Sequence, residues 1–364
     1  MRILIFSPTV RAGTTQYTHC LANALVTRGH EVLVATSIGY EMSSFKTSYE
    51  ILEFVDRHRP RPGALFGFLK RVRQWKPDII HFQGAQHPTT YLVLSFLLRT
   101  LSSAPQVYTP QDVLPHYKRP QQIRALKLLY RRMSHVFFNA RQNIESVEGL
   151  IGVKTESCTV LPLADLTAFV RETVEPAAPD LPQNAQVILF FGQLQARKGI
   201  DTLIEAFPAV LESAPKAHLC IAGESQIDLE PLRKRIKLLG LVEKVTILDG
   251  YVPFDEMAGL FVRANLVVLP YESGWNSGVL ISALGFGKPV IATRVGGLDE
   301  VVVDGECGLL VPPKDPAALG NALARALTDE DLKAEFRTGV PTAAARYSWE
   351  EIATRTEAVY VSLG

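Results

Sequence analysis

The chain has 364 residues and a formal net charge of +1, and 47% of its residues are hydrophobic while 21% are charged. These values are ordinary for a soluble globular protein, and the near-neutral balance excludes a global attraction to nucleic acid or to an acidic membrane. Because one hydrophobic core rarely holds so many residues, two domains are expected. The four cysteines are far apart and lack metal-ligand spacing, which indicates a reducing, cytoplasmic environment.

The first half alternates short apolar strands with longer amphipathic segments, the pattern of a parallel sheet with helical crossovers. The clearest helix covers residues 17–28 and ends at Gly29. His81 lies at a strand end and is interpreted as a core histidine. The strands are predicted near residues 3–6, 32–36, 79–82, 107–109, 136–138 and 159–161.

The second half repeats this alternation, so the sequence predicts two Rossmann-like α/β domains. The domains are expected at residues 1–170 and 185–345, separated by an irregular Pro- and Ala-rich linker at 171–184. A helical C-terminal segment follows at 346–364. The strands of this half are predicted near residues 187–191, 218–222, 245–248, 266–269, 290–292 and 309–311.

Two successive loops in the second half combine a preceding strand with glycine. The strand at 266–269 runs into a polar loop that ends at residues 276–278, where a helix begins. The next strand is followed by Gly296, Gly297 and then Glu300. Such loops point unpaired backbone N–H groups at whatever lies above them, an arrangement that suits phosphate.

A third loop of this kind, at residues 192–199, follows the strand at 187–191 and opens a helix. It carries Arg197 and Lys198 next to the predicted helix start. Arginine can hold two phosphate oxygens at once, while lysine acts as a point charge. The loop is therefore predicted to clamp phosphate, and the competing interpretation is an exposed basic turn.

The block from residue 269 to 313 resembles the C-terminal domain of the retaining family 4 glycosyltransferases, which have the GT-B fold. The resemblance extends over the whole chain. It implies two Rossmann-like doubly wound domains with an interdomain cleft, and a C-terminal helix that crosses back to the N-terminal domain. The matching motifs are SGV at 277–279, GKPVIAT at 287–293, VGG at 295–297 followed by Glu300, and DGECGLLVPP at 304–313.

The resemblance implies a retaining transfer of a sugar from a nucleoside diphosphate sugar, UDP- or GDP-linked. The acceptor would be a glycan, a lipid-linked sugar or a small polyol, in the synthesis of surface polysaccharide or glycoconjugate. A non-catalytic GT-B subunit that binds glycan or regulates a paralogous glycosyltransferase is the alternative function. No Asp-x-Asp pattern stands where a metal-dependent transferase would hold magnesium, so no metal is expected.

The site residues follow from these loops and from the resemblance. Gly13 lies in the loop after the first strand, and Gly250 and Tyr251 in the loop that the resemblance places under the nucleobase. The candidate catalytic residues are Gln111, His116, Arg197, Lys198 and Glu272. The candidate donor-binding residues are Gly13, Gly192, Lys198, Gly250, Tyr251, Asn276, Ser277, Gly278, Val279, Ser282 and Glu300.

Three polar positions depart from the family pattern. Gln111 stands where many relatives carry a histidine, Gln193 where they carry an arginine, and Ser282 where they carry a ribose-binding glutamate. Arg197 is the candidate replacement for the arginine, and Glu272 for an acid that is absent at position 274.

One basic amphipathic segment runs from Tyr117 to Arg132. Two interpretations remain open: docking on anionic lipid at the inner membrane face, or an ordinary solvated helix that packs one apolar stripe. Nucleic acid is not an expected partner. The basic residues of the segment are Lys118, Arg119, Arg124, Lys127, Arg131 and Arg132.

Overall fold

A computed structural model describes residues 1–11, 13–56, 59–60, 62–84, 88–110, 120–139, 143–144, 147, 155–177, 179–273 and 277–364. The chain divides into two compact units. The first unit combines Met1–Leu166 with Ser348–Gly364, and the second is Thr167–Tyr347.

Helices occur throughout both units. Among those with described bounds, none combines the length and apolarity needed to cross a lipid bilayer. In chain order they are α1 (Gly13–Thr27), α2 (Pro62–Trp75), α3 (Pro88–Leu101), α4 (Pro120–Arg132), α5 (Ala168–Thr173), α6 (Ile200–Ser213), α7 (Glu230–Leu238), α8 (Phe254–Arg263), α9 (Gly278–Gly285), α10 (Pro316–Thr328), α11 (Glu330–Ala345) and α12 (Trp349–Leu363).

The first unit is built on an eight-stranded sheet with the order β4-β3-β2-β1-β5-β6-β7-β8. Its described neighbouring strands are parallel except for the pair β3–β4. The six strands predicted for this half are confirmed, and β3 and β4 are additions. The strands are β1 (Arg2–Ser7), β2 (Glu31–Ser37), β3 (Glu50–Asp56), β4 (Arg59–Pro60), β5 (Ile79–Gln83), β6 (Gln106–Thr109), β7 (His135–Phe138) and β8 (Cys158–Val160).

The helices of the first unit form two layers around this sheet. Right-handed crossovers place α2, α3 and α4 on one face, where all three bury apolar side chains in the same core cluster. Helix α1 packs against α12. The side of α2, α3 and α4 that faces away from the cluster is therefore the outer surface of this layer.

The C-terminal helix α12 is fastened to the first unit by buried contacts. The Trp349 indole N–H donates to the backbone oxygen of Asp165 at 2.7 Å, and its ring meets that of Tyr17 edge-on, with centroids 5.0 Å apart. Further along the helix, the Tyr360 hydroxyl hydrogen-bonds His81 Nδ1 at 2.5 Å. The last segment of the chain thus completes the core of the first unit.

The boundary between the units differs from the sequence-based expectation, because the expected linker at 171–184 belongs to the second unit. Phe169 in α5 packs edge-on against Phe254, with centroids 5.2 Å apart. The Ala177 N–H donates to Asp255 O at 3.0 Å, and Arg263 donates to Pro182 O at 2.7 Å. The segment lacks periodicity, which is typical of a linker, yet residues of α8 hydrogen-bond several of its backbone groups.

The second unit contains a parallel six-stranded sheet with the order β11-β10-β9-β12-β13-β14. The chain runs outward in one direction from β9 to β11 and in the other from β12 to β14, so the strand order reverses between β9 and β12. All six predicted strands are confirmed. They are β9 (Gln186–Phe191), β10 (Ala217–Gly223), β11 (Val245–Asp249), β12 (Leu266–Leu269), β13 (Val290–Thr293) and β14 (Gly308–Val311).

Candidate functional site

The candidate site lies at the carboxyl ends of β9 and β12, where the strand order of the second sheet reverses. In open α/β sheets, ligands bind outside the strand ends at such a switch point. Gly192, directly after β9, has a φ of +114°. A Cβ added there would lie 3.5 Å from Val279 Cγ2. The loop after β9 therefore faces the start of α9.

A close backbone approach joins the two loops of the site. Gly199 ends the 3-10 turn Ala196–Lys198 with a φ of +67°, and a Cβ at this position would overlap the carbonyl oxygen of Pro270. Two residues earlier, Arg197 O accepts a hydrogen bond from the Glu272 N–H at 2.9 Å. The turn with the two predicted cations is thus held directly beside the end of β12.

Lys198 is positioned by an aromatic ring. Its Nζ lies 3.5 Å from the centroid of the buried Tyr271 ring. The Tyr271 hydroxyl hydrogen-bonds Ser277 Oγ at 3.2 Å, and the Thr293 hydroxyl donates to Tyr271 O at 2.5 Å. Tyr271 therefore connects the ammonium group with the residue that precedes α9.

The environment of Lys198 makes its charge responsive to a bound anion. Burial, and to a lesser extent the positive charge of Arg197, lower the pKa of this side chain from 10.5 to about 8. The electron-rich face of Tyr271 attracts the cation and offsets part of this cost. A phosphate at this position would favour the protonated form, because an opposite charge nearby raises the pKa of an amine.

Three cations contact three successive residues of the loop after β12. Lys198 covers the Tyr271 ring, and Arg197 Nη1 lies 3.5 Å from Ser273 O. Between these two, Glu272 Oε2 forms an ion pair with Lys314 Nζ at 3.1 Å. Each of these three residues therefore has a positive charge next to it.

Lys314 is the site residue that the sequence analysis missed. It follows the motif that ends at Pro313 and has a φ of +59°, a left-handed conformation that side chains other than glycine rarely adopt. Its partner Glu272 comes from a different loop of the chain. The only signal in the sequence was a lysine directly after a recognised motif.

The start of α9 contributes backbone groups to the same edge of the sheet. Ser277 precedes the helix in an extended conformation, and its side chain turns to Tyr271 rather than capping the helix. The first N–H groups of a helix have no partner within it and carry a partial positive charge. Ser282 lies one turn after Gly278 and is buried, so its hydroxyl is on the inner side of the helix.

Other predicted residues lie on the neighbouring strand ends. Gly250 follows β11 with a φ of +133° and donates its N–H to Gly223 O at 3.3 Å, while Tyr251 next to it is exposed. Glu300 is exposed in a 3-10 turn after β13. Gln193 accepts a hydrogen bond from Gln195 Nε2 at 3.0 Å. All of them belong to the carboxyl edge of the second sheet.

The remaining predicted residues are either not described by the structure or belong to the first unit. Gln111, His116 and Asn276 lie outside the described residues, as does position 274. Gly13 begins α1 in the first unit, where a Cβ would lie 3.4 Å from Leu166 Cδ1.

His81 is a structural residue of the first unit, as the sequence predicted. Its ring is buried, with Nε2 hydrogen-bonded to Thr109 Oγ1 at 2.7 Å and Nδ1 to the Tyr360 hydroxyl. Burial lowers its pKa to about 3, so the ring is neutral at physiological pH.

Comparison with known proteins gives matches across both units. Residues 12–164 match the family model described as glycosyl transferase 4-like domain, and residues 185–329 match the model described as glycosyl transferases group 1. The D-inositol 3-phosphate glycosyltransferase of Corynebacterium urealyticum is 33% identical over 227 residues, which is 59% of this chain and 53% of that protein. The match thus spans about half the length of this relative.

Two further relatives match the entire chain. The glycogen synthase of Mycobacterium tuberculosis strain CDC 1551 is 27% identical over 410 residues, covering 100% of this chain and 95% of that protein. The crystal structure of Anabaena HepE in complex with UDP has a TM-score of 0.73 at 21% identity, with both chains covered completely. The fold and the family predicted from the sequence are confirmed: the chain belongs to the group 1 glycosyltransferases, family 4, which have the GT-B fold.

Proposed function

We propose that the protein is a glycosyltransferase that binds the diphosphate of a nucleoside diphosphate sugar at the switch point of its second unit. The observation that carries the proposal is the Lys198 ammonium, which Tyr271 holds beside the start of α9. Membership of the glycosyltransferase family supports the choice of reaction.

The chemical requirement of sugar transfer is to stabilise the negative charge that develops on the departing diphosphate. Groups fixed in position before the reaction do this without a reorganisation cost. Lys198 and Arg197 supply the positive charges, and the N–H groups at the start of α9 supply hydrogen-bond donors. No step in this scheme requires a metal ion.

The rest of the donor would extend over the neighbouring strand ends. Glu272 can accept hydrogen bonds from sugar hydroxyls, and Lys314 holds its carboxylate in place. Ser282 is the candidate ribose contact and Gly250 the candidate nucleobase contact. UDP in the crystal of the Anabaena protein favours a uridine nucleotide, and GDP is the other candidate.

The acceptor is proposed to be a glycan, a lipid-linked sugar or a small polyol, with retention of the anomeric configuration. The names of two relatives, D-inositol 3-phosphate glycosyltransferase and glycogen synthase, support the polyol and glycan classes. Gln111 and His116 remain the proposed catalytic residues of the first unit. The resemblance to family 4 also supports the synthesis of surface polysaccharide or glycoconjugate in the cytoplasm.

A non-catalytic subunit that binds glycan or regulates a related transferase is the competing proposal. Two observations favour it. The buried residue at the ribose position is Ser282 rather than an acid, and the nearby acid Glu272 is already paired with Lys314.

A donor panel separates the two proposals. Product formation and donor hydrolysis are measured with UDP-, GDP- and ADP-sugars, with EDTA present, and free nucleotides are titrated by calorimetry. Turnover with at least one donor is expected. Tight nucleotide binding without turnover of any donor would favour the non-catalytic subunit.

The Lys198→Ala variant tests the position of the diphosphate. Loss of one charged partner should weaken nucleotide binding by about 1.5–3 kcal/mol. Lys288→Ala is the matched control, because burial likewise lowers the pKa of Lys288. Lys288 precedes β13 and so lies at the amino ends of the strands, away from the site at their carboxyl ends. Equal affinity of wild type and Lys198→Ala would place the phosphates elsewhere.

A further inference from the structure

The outer helix layer of the first unit carries only positive charge. Helices α2, α3 and α4 contain no Asp or Glu, whereas the chain as a whole has 38 basic and 37 acidic residues. Three of the layer's basic residues lie in α2, one in α3 and four in α4. They are Lys70, Arg71, Arg73, Arg99, Arg124, Lys127, Arg131 and Arg132.

The same three helices expose large apolar side chains on the side that faces away from the core. Their inner sides already fill the core cluster of the first unit, and none of the outward residues belongs to that cluster. Removing these side chains from water by contact with an apolar partner would be favourable. The exposed fractions are 71% for Phe66, 52% for Val93, 51% for Phe96 and 52% for Leu128.

A direct contact joins the charged and the apolar residues into one surface. The guanidinium of Arg132 in α4 lies 3.6 Å from the centroid of the Phe96 ring in α3. On the flank of the layer, Arg71 forms an ion pair with Glu50 at 2.7 Å, so its charge is locally compensated. We call the four exposed apolar residues and the eight basic residues of α2, α3 and α4 the outer-layer surface.

We propose that the outer-layer surface binds the headgroup region of an anionic lipid bilayer. Long basic side chains can reach lipid phosphates while their aliphatic stems lie along apolar groups. Exposed Phe, Leu and Val side chains between them can enter the acyl boundary. The proposal extends the predicted basic segment, of which α4 is the described part, to three helices, and it does not depend on the transferase activity.

Helix α7 of the second unit shows what distinguishes this layer from an ordinary basic helix. It also carries several cations and the exposed Leu238. However, α7 contains Glu230, and its Arg235 lies 3.4 Å from Glu205. Such mixed charge is typical of a solvated helix face, which makes α7 the internal control for the outer-layer surface.

Vesicle sedimentation tests the proposal on the full chain. The wild type should pellet with vesicles of equal parts phosphatidylglycerol and phosphatidylcholine, and remain in solution with phosphatidylcholine alone. Added salt should weaken the binding, because it screens the attraction. A single cation near an anionic membrane strengthens binding roughly fivefold. The double variant Arg124→Glu, Arg131→Glu should therefore bind the anionic vesicles well over fivefold more weakly.

A second variant tests the apolar contribution separately from the charge. Phe96→Ser with Leu128→Ser should reduce binding to the anionic vesicles while the net charge is unchanged, and Leu238→Ser in α7 should not. Circular dichroism confirms that each variant is folded. Equal binding to both kinds of vesicle would overturn the proposal, as would unchanged binding of the outer-layer variants. Absence of binding to any vesicle would overturn it as well. None of these results bears on donor turnover, which the donor panel measures.

Discussion

The Lys198 ammonium lies 3.5 Å from the centroid of the Tyr271 ring, and this contact connects the two loops that meet at the switch point of the second sheet. Lys198 follows β9 and Tyr271 follows β12, which are neighbouring strands. Because the ring is buried and its hydroxyl reaches Ser277, the position of the cation is fixed relative to the start of α9. A charge held in this way is suited to an anion that binds between the loops.

The first prediction concerns the pH dependence of nucleotide binding. The pKa of Lys198 is lowered to about 8, so the unliganded side chain loses its charge as the pH rises through this value. Above it, affinity for a nucleoside diphosphate should fall by up to about tenfold per pH unit, because binding must then include proton uptake. Calorimetric titration of UDP between about pH 7 and pH 9.5 measures the effect.

Lys198→Arg provides the control for this pH profile. Arginine keeps its charge throughout the range, so the affinity of the variant should be nearly independent of pH. A wild-type profile as flat as that of the arginine variant would show that the Lys198 ammonium does not bind the phosphate.

The second prediction concerns the close approach at Gly199. In Gly199→Ala, the new methyl group would overlap Pro270 O, and the residue would also have to adopt a left-handed φ. We expect a loss of more than about 3 kcal/mol in the free energy of unfolding, since the backbone of β12 cannot move freely. Urea denaturation measures the loss.

Gly287→Ala separates the two causes. Gly287 has a φ of +71°, but nothing lies within 4 Å of an added Cβ. This variant should therefore show only the conformational cost of about 1–2 kcal/mol. Equal losses in both alanine variants would mean that the approach to Pro270 adds nothing.

The sequence predicted the second sheet completely because each of its strands is a short apolar run between polar or glycine-containing segments. Strand β3 was missed for the opposite reason. Glu53 interrupts its apolar residues, and Glu50 and Asp56 are its two ends. β3 lies near the edge of the first sheet, where charged side chains can reach solvent.

For the site, the sequence revealed residues in the glycine-containing loops that lead from a strand to the next helix, such as Arg197 and Ser277. Lys314 could not be recognised in this way. Its role depends on a contact with Glu272, and the two residues are brought together only by the packing of neighbouring loops. Such a contact can be predicted only when the strand order is known, and a single sequence does not give the strand order.

The third prediction tests whether Lys314 positions Glu272. In Lys314→Gly, the ion pair is lost, but the conformational cost of the left-handed backbone is removed. These two effects oppose each other, so the free energy of unfolding should change by less than about 1 kcal/mol. If Glu272 binds the donor sugar, kcat/KM should nevertheless fall, because its carboxylate is no longer held. Steady-state kinetics and thermal unfolding on the same samples distinguish the two effects.

Lys76→Gly is the matched control, because Lys76 also has a left-handed φ, at +52°, and lies in the first unit. It should show the same relief of the backbone without any kinetic change. Identical kinetics of the two glycine variants would assign Lys314 a purely structural role.

The last prediction concerns the buried pair that fastens α12 to the first unit. The Tyr360 hydroxyl is hydrogen-bonded to His81 Nδ1 at 2.5 Å, and both side chains are buried. Tyr360→Phe would leave the buried ring nitrogen without this partner, at a cost of about 1–3 kcal/mol. Val361→Ala, at the next position of the same helix, removes an exposed side chain and should change stability by less than about 0.5 kcal/mol.

Acid should destabilise the first unit through the same histidine. Its pKa is about 3 in the folded state, against 6.5 in the unfolded chain, so between these values the unfolded state binds more protons. Through His81 alone, stability is therefore retained above about pH 6.5 and falls by up to about 1.4 kcal/mol per pH unit below it. His19, whose pKa burial lowers to about 4, adds a fall of the same sign. Urea denaturation at several pH values, followed by circular dichroism, measures this slope. A stability that does not change between about pH 6.5 and pH 4.5 would show that His81 is already protonated in the folded protein or becomes so without cost.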